Sequence, residues 1–272
     1  MLKDVTFGQY FPGDSVVHKM DPRMKLVLII VYIVMLFVAD GMIPLLLGVA
    51  VTVFAYAMSK LSFKLVWRSV KPILPIVVFT AILNIFFIEG DPLFQWKFIT
   101  ISERGVVTAV LMCVRIISLI AGSSLLTYTT TPIALTDGLE RLMKPLEKIK
   151  VPVHELSMMM TIALRFIPTL IDETGKIIAA QKARGADMDS GNAIQKAKAL
   201  VPILIPLFVS AFRRADELAL AMECRCYRGG EGRTRLKQLS LSGRDWAAAA
   251  LMTAALAGVI LLNKFGPAVM VL

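Results

Sequence analysis

The sequence predicts an all-α, polytopic membrane protein with about five transmembrane helices and a segment of long amphipathic helices. Three observations predict it. The 272 residues are 57% hydrophobic with a mean hydropathy of +0.71, whereas soluble domains are about 45–50% apolar even with glycine counted. Their apolar runs are long and nearly uncharged, as membrane spans of roughly 20 residues require. Charge is also segregated: residues 129–245 hold 18 of the 30 Lys and Arg and 13 of the 20 Asp and Glu. The division that follows is a membrane domain of four spans over 1–128, an interfacial domain over 129–245, and a last span within 246–272.

The chain opens Met1-Leu2-Lys3-Asp4, polar and without a charged-then-apolar leader, so no cleaved signal peptide is expected. Asp21 suits a helix cap and Pro22 the first helical turn. The basic cluster from His18 to Lys25 directly precedes an apolar run, which orients this end to the cytoplasm. Leu26 to Ala39 and Met42 to Met58, divided by Asp40-Gly41, read as a tight hairpin whose first helix gains length by starting near Pro22. Lys60, Lys64, Arg68 and Lys71 follow with no acid between them. The last three share one helical face, with Phe63, Val66, Trp67 and Val70 opposite, as in an interfacial helix on the cytoplasmic leaflet.

Pro72 to Ile88 is a third span, with Pro75 and Asn84 inside it. Glu89, Asp91 and Glu103 against Lys97 and Arg104 make the next loop net −1, so it lies outside. Gly105 to Tyr128 is a fourth span with Arg115 near its middle. A charge at that depth is expensive. The expected role is a packing arginine bonded to backbone carbonyls or a polar neighbour; a direct part in transport is the alternative.

Past Thr131-Pro132, Leu135, Leu139, Leu142, Leu146 and Ile149 make an apolar stripe at helical spacing. Two arms then occupy Val153 to Arg228. Their apolar halves are Leu156 to Ile171 and Ala199 to Phe212. The second is 14 residues, or about 21 Å of helix against a bilayer core of about 30 Å. It contains Pro202 and Pro206, while the first contains Arg165 and Pro168. Both are therefore expected to lie along the inner membrane surface. The first arm finishes Gln181-Lys182-Ala183-Arg184-Gly185 and the second Glu223-Cys224-Arg225-Cys226-Tyr227-Arg228-Gly229-Gly230. Each finish is an arginine between small residues. The guanidinium offers five fixed donors and suits carboxylate or carbonyl recognition at an interface. Ala183, Gly185, Cys224 and Cys226 are small enough to enter a narrow groove with it. The plain alternative is a capped helix end with a solvated arginine. Two such ends on successive arms favour docking to another protein. Arg233, Arg235, Lys237 and Arg244 then keep the start of Trp246 to Asn263 inside, so the C-terminus is expected outside.

A net charge of +10 raises nucleic acid, but excess cations in a membrane protein first indicate cytoplasmic loops against anionic lipid. Membrane lipid is the expected partner and nucleic acid is not. The three cysteines include Cys224 and Cys226, too close for a relaxed disulfide, which fits free thiols in a reducing compartment. No Gly-rich phosphate loop is present. His18 and His154 stand far apart, and Cys224-x-Cys226 lacks further ligands. No cofactor, metal or enzymatic activity is expected of this chain. A self-contained secondary transporter or channel is the rival reading; it would need more intramembrane ionisable groups and a repeated broken-helix core.

Three blocks resemble a known family. They are Ser15-Val16-Val17-His18-Lys19-Met20-Asp21-Pro22-Arg23-Met24-Lys25-Leu26; Arg165-Phe166-Ile167-Pro168-Thr169 with the Gln181 to Gly185 finish; and Arg214-Ala215-Asp216-Glu217 through Ala221 to Tyr227, with Arg233-Thr234 after it. Across essentially its whole length the chain resembles the transmembrane T component of energy-coupling factor transporters, importers of the ATP-binding-cassette class. Cys226 departs from the glycine common there. The resemblance implies that Arg184 and Arg225 are the central arginines of two coupling motifs, each docking one of two cytoplasmic ATPase subunits. It implies that residues 129–245 form a coupling domain whose apolar faces hold an exchangeable substrate-binding S component. It also implies vitamin or micronutrient uptake across a prokaryotic plasma membrane, with the substrate chosen by that separate subunit.

Overall fold

The computed structural model describes residues 10–88, 92–96, 99–186, 192–230 and 239–265. In chain order they form α1 (Pro22–Val38), α2 (Met42–Ser59), α3 (Phe63–Val70), α4 (Leu74–Phe87), β1 (Pro92–Trp96), β2 (Ile99–Ser102), α5 (Glu103–Thr129), α6 (Pro132–Met143), α7 (Val153–Ala183), α8 (Ala193–Cys224) and α9 (Gly243–Phe265). The chain is thus an all-α, multi-pass membrane protein with one small antiparallel hairpin, β1–β2, in the loop between α4 and α5. It separates into two compact units, one of residues 8–139 with 238–272 and the other of residues 140–237. Several charges that the sequence reading used for orientation, Glu89, Asp91, Lys97, Arg233, Arg235 and Lys237, lie outside the described residues, as do Met1 to Asp4.

In the first unit, α1 packs antiparallel to α5 through three contacts spaced seven residues apart in each helix. Lys25 Nζ donates to Thr129 O at 2.9 Å and Thr130 Oγ1 at 3.1 Å. Tyr32 lays its ring on Gly122 and donates to Ser118 O at 3.0 Å. Arg115 Nη2 donates to Ala39 O at 2.6 Å. Seven residues are about two helical turns, so each contact returns to one face. A Cβ at position 122 would stand 2.3 Å from the Tyr32 ring, so only glycine permits this approach. Tyr32, Met35, Leu36, Ala39, Leu45, Leu111 and Val259 close the core. Phe87, by contrast, is 78% exposed, and Phe37, Val53 and Phe79 also face outward. An apolar exterior with satisfied polar pairs inside is the arrangement lipid demands.

The expected packing role is what Arg115 has. The last carbonyls of a helix have no partner within it. At the end of α1, Ala39 O takes Arg115 and Val38 O takes Asn263 Nδ2 at 2.6 Å, while Asp40 N donates to Asn263 Oδ1 at 3.2 Å. A cation at a helix C-terminus also meets the negative end of its dipole. The opposite end of α1 is tied as firmly. Asp21 caps it by accepting from Arg23 N at 2.9 Å and pairs with the Arg23 guanidinium at 2.8 Å. Asp21 N donates to Asp245 Oδ1 at 2.9 Å, which runs α9 parallel to α1. Lys25 is buried. Two cations read from the sequence as loop charges are therefore structural.

Among the described residues, four stretches are long and apolar enough to cross a membrane: Met42–Ser59, Lys64–Phe87, Glu103–Thr129 and Gly243–Lys264. Helix α1, with 17 residues, is about 26 Å long and is not among them. The interfacial helix and third span prove nearly continuous. Helix α3 passes into α4 through a 3-10 turn, Lys71–Ile73, which accommodates Pro72 and Pro75 without ending the rod.

Candidate docking site

The second unit is built on α7 and α8, of 31 and 32 residues, each nearly 50 Å long at 1.5 Å per residue. Neither is among the stretches apolar enough to span. They pair antiparallel along their length. Proline 206 has no N–H, so it leaves the carbonyl of residue 202 without its helical donor. Gln181 Nε2 supplies one, donating to Pro202 O at 3.3 Å. Further along, Glu173 accepts from the Ser210 hydroxyl and from Arg214 Nη2 at 2.6 Å. Those two donors, Ser210 first, hold the Glu173 carboxyl below its ordinary value. At the far end, Tyr227 Oη donates to Met158 Sδ at 3.0 Å and Gly230 lies against the His154 ring. His154 Nδ1 is 3.3 Å from Glu140 Oε1, and the Ser157 hydroxyl donates to the same carboxylate.

The two arginine ends share one geometry. Arg184 is the C-cap of α7; Gly185 N donates to Lys182 O and Ala186 N to Gln181 O, both at 3.0 Å. Arg225 is the C-cap of α8; Cys226 N donates to Glu223 O at 2.8 Å and Tyr227 N to Met222 O at 3.0 Å. Both are Schellman motifs, in which the residue after the cap turns left-handed and the last carbonyls are satisfied. Gly185 has φ +84° and Cys226 φ +54°. Cys226 thus keeps the backbone shape that glycine favours, and its departure from glycine leaves the form of this end intact. Ala183, Arg184, Gly185, Cys224, Arg225 and Cys226 are all exposed. Among the described residues, neither arginine makes an ion pair.

Because the arms are antiparallel, the two ends point to opposite extremes of the pair. Gln181, one turn before Arg184, meets Pro202, and the 23 residues from there to Arg225 span about 35 Å of α8. Between them α8 bears an uncovered apolar stripe of Val201, Ile205, Phe208 and Phe212, with Phe212 68% exposed. Gln181 stands in the sequence as part of the first arm's finish, with no sign there of its bond to Pro202. Its one visible signal was Pro206, whose unmet carbonyl calls for a donor from elsewhere in the fold.

Spanning helices and a long helical pair with two matched arginine ends define a multi-pass membrane protein. Residues 13–236 match the family described as cobalt transport protein. The chain is 58% identical to the energy-coupling factor transporter transmembrane protein EcfT of Clostridium kluyveri, over 91% of this chain and 93% of that one. It is 54% identical to EcfT of Ruminiclostridium cellulolyticum over 97% and 98% of the two chains, and 50% identical to that of Acidaminococcus fermentans over 97% and 96%. The chain belongs to this family, the transmembrane components of energy-coupling factor transporters.

Proposed function

We propose that this chain is the coupling subunit of its transporter, passing ATP-driven motion of two cytoplasmic ATPase subunits to a membrane-embedded S component that binds the substrate. The observation that carries this reading is the pair of matching arginine C-caps at opposite ends of one antiparallel arm pair. Two similar partners need two similar contacts, and about 35 Å along the helix leaves room for one partner at each. In each contact, Arg184 or Arg225 enters a groove and donates to carboxylate or carbonyl oxygens, while Ala183, Gly185, Cys224 and Cys226 keep the approach free of bulk. The stripe through Ile205, Phe208 and Phe212 serves the S component, whose membrane-facing surface is apolar.

In this reading residues 129–245 are the coupling domain and lie on the cytoplasmic side, with the N-terminus inside and the C-terminus outside. ATP hydrolysis belongs to the partner subunits. The cargo is a vitamin or other micronutrient, and its identity resides in the S component. Arg184→Glu and Arg225→Glu should each reverse one contact charge, cutting ATPase co-purification and substrate uptake at least tenfold while membrane insertion is unchanged. Wild-type ATPase retention and uptake in both variants would refute the docking role.

A further inference from the structure

We infer that the membrane unit holds one acyl chain of an anionic phospholipid in a cavity between α1, α2, α5 and α9. The cavity measures about 340 Å³, within the range of small-molecule sites. Its walls are apolar, with Ile29 from α1, Ala55 from α2, Leu125 from α5, and Ala248 and Met252 from α9. Deeper in, the Tyr32 hydroxyl donates to the carbonyl of Ser118 and lies within hydrogen-bond distance of the Thr52 hydroxyl. Such a space offers water no partners, and leaving it empty forfeits dispersion contacts on every wall. The solvent of the spanning helices is hydrocarbon, so the filler with the right chemistry is a lipid tail.

The basic side chains gather toward one end of the cavity: Lys25, near the start of α1, and Arg244, near the start of α9. Lys25 has no donor to spare, because its Nζ already serves His18 O, Thr129 O and Thr130 Oγ1. Arg244 is exposed and makes no ion pair among the described residues. The carboxylates nearby are engaged: Asp21 by Arg23, and Asp245 by Asp21 N, Ser242 N and the Ser242 hydroxyl. That leaves the Arg244 guanidinium fork without a carboxylate partner among the described residues, which suits a phosphate carrying net negative charge over a zwitterionic headgroup. Tail and headgroup together specify an anionic phospholipid.

Native mass spectrometry of the full transporter, released from nanodiscs of equal phosphatidylglycerol and phosphatidylcholine with matched acyl chains, tests this. The wild type should retain one phosphatidylglycerol for each copy of this chain. Arg244→Gln, a surface change, should lower the preference for phosphatidylglycerol by about tenfold. Ala55→Phe and Ala248→Phe should abolish retention of either lipid by filling the cavity, with the elution volume of the complex unchanged. Equal retention of both lipids by the wild type, a retained fatty acid or detergent mass in place of phospholipid, or an unaltered preference in Arg244→Gln would each overturn the assignment. Should the filled variants misassemble, Arg244→Gln decides alone.

Discussion

Cys226 adopts a left-handed backbone that glycine holds at the matched position of the other arm. A residue with a Cβ pays roughly 1–2 kcal/mol for that conformation, so the second arginine end is the more strained of the two. Cys226→Gly should relieve it and raise hydrogen-exchange protection of the Tyr227 amide about fivefold. Gly185→Ala should lower protection of the Ala186 amide by a similar factor, and no change in either would show the caps do not depend on this turn. Glu173 sets a different condition. Its carboxyl titrates below its ordinary value because Ser210 and Arg214 bond its charged form. A group whose folded pKa is depressed contributes fully above its unfolded value, about 4.3, and loses that contribution as pH falls below it. Spin-label distances between α7 and α8 should therefore hold from pH 8 to 5 and broaden only in stronger acid, while Glu173→Gln broadens them at pH 7. Loosening of the wild type between pH 7 and 5 would contradict this role.

Among elements, α1 shows most about how the spanning unit is made. It is held at both ends by groups from other helices: Asp245 and Thr129 at its start, Arg115 and Asn263 at its finish. Its terminal carbonyls lie beside α5 about 21 Å along that helix from Thr129, fourteen residues at 1.5 Å each. Arg115→Leu leaves Ala39 O unsatisfied and should destabilise the unit by about 1–3 kcal/mol, seen as a lower midpoint for thermal loss of monodisperse protein in detergent. An unchanged midpoint would mean that the contact is incidental. The sequence contained Arg115 and its depth, but the partner is 76 residues away in the chain, and no local pattern ties residue 115 to the end of α1. The continuity of α3 with α4 was hidden too, because the basic face ending at Lys71 read as a separate interfacial helix where the backbone takes one tight turn.

For the whole molecule, the distribution of charge predicts an orientation. Lys60, Lys64, Arg68 and Lys71 follow α2 without an acid, and Arg244 stands at the start of α9. Positive flanks stay inside, so α9 should run outward. A tag after Leu272 should be labelled on intact cells, and labelling only after permeabilisation would reverse the topology. Arg23 and Lys25, at the start of α1, are bound within the first unit. The orientation therefore leans on the flanks of α2, α3 and α9 rather than on the start of α1.

The amino-acid order by itself determined the helical membrane class, the two arms and the arginine at each arm's end. Those features are local: spans follow from uninterrupted apolar length, amphipathic arms from a repeat near 3.6, and helix ends from an arginine followed by residues that permit a left-handed turn. Tertiary structure alone decided that the arms are antiparallel, that their arginines face opposite extremes, and that Gln181, Arg115 and Asn263 serve carbonyls on other helices. The physical reason is that an orphaned carbonyl is satisfied by whichever donor the packing brings within about 3 Å. Chain separation does not restrict that choice. Lys25 is the sharpest instance, a cation whose sequence suggests solvent and whose three donors are all used inside the fold.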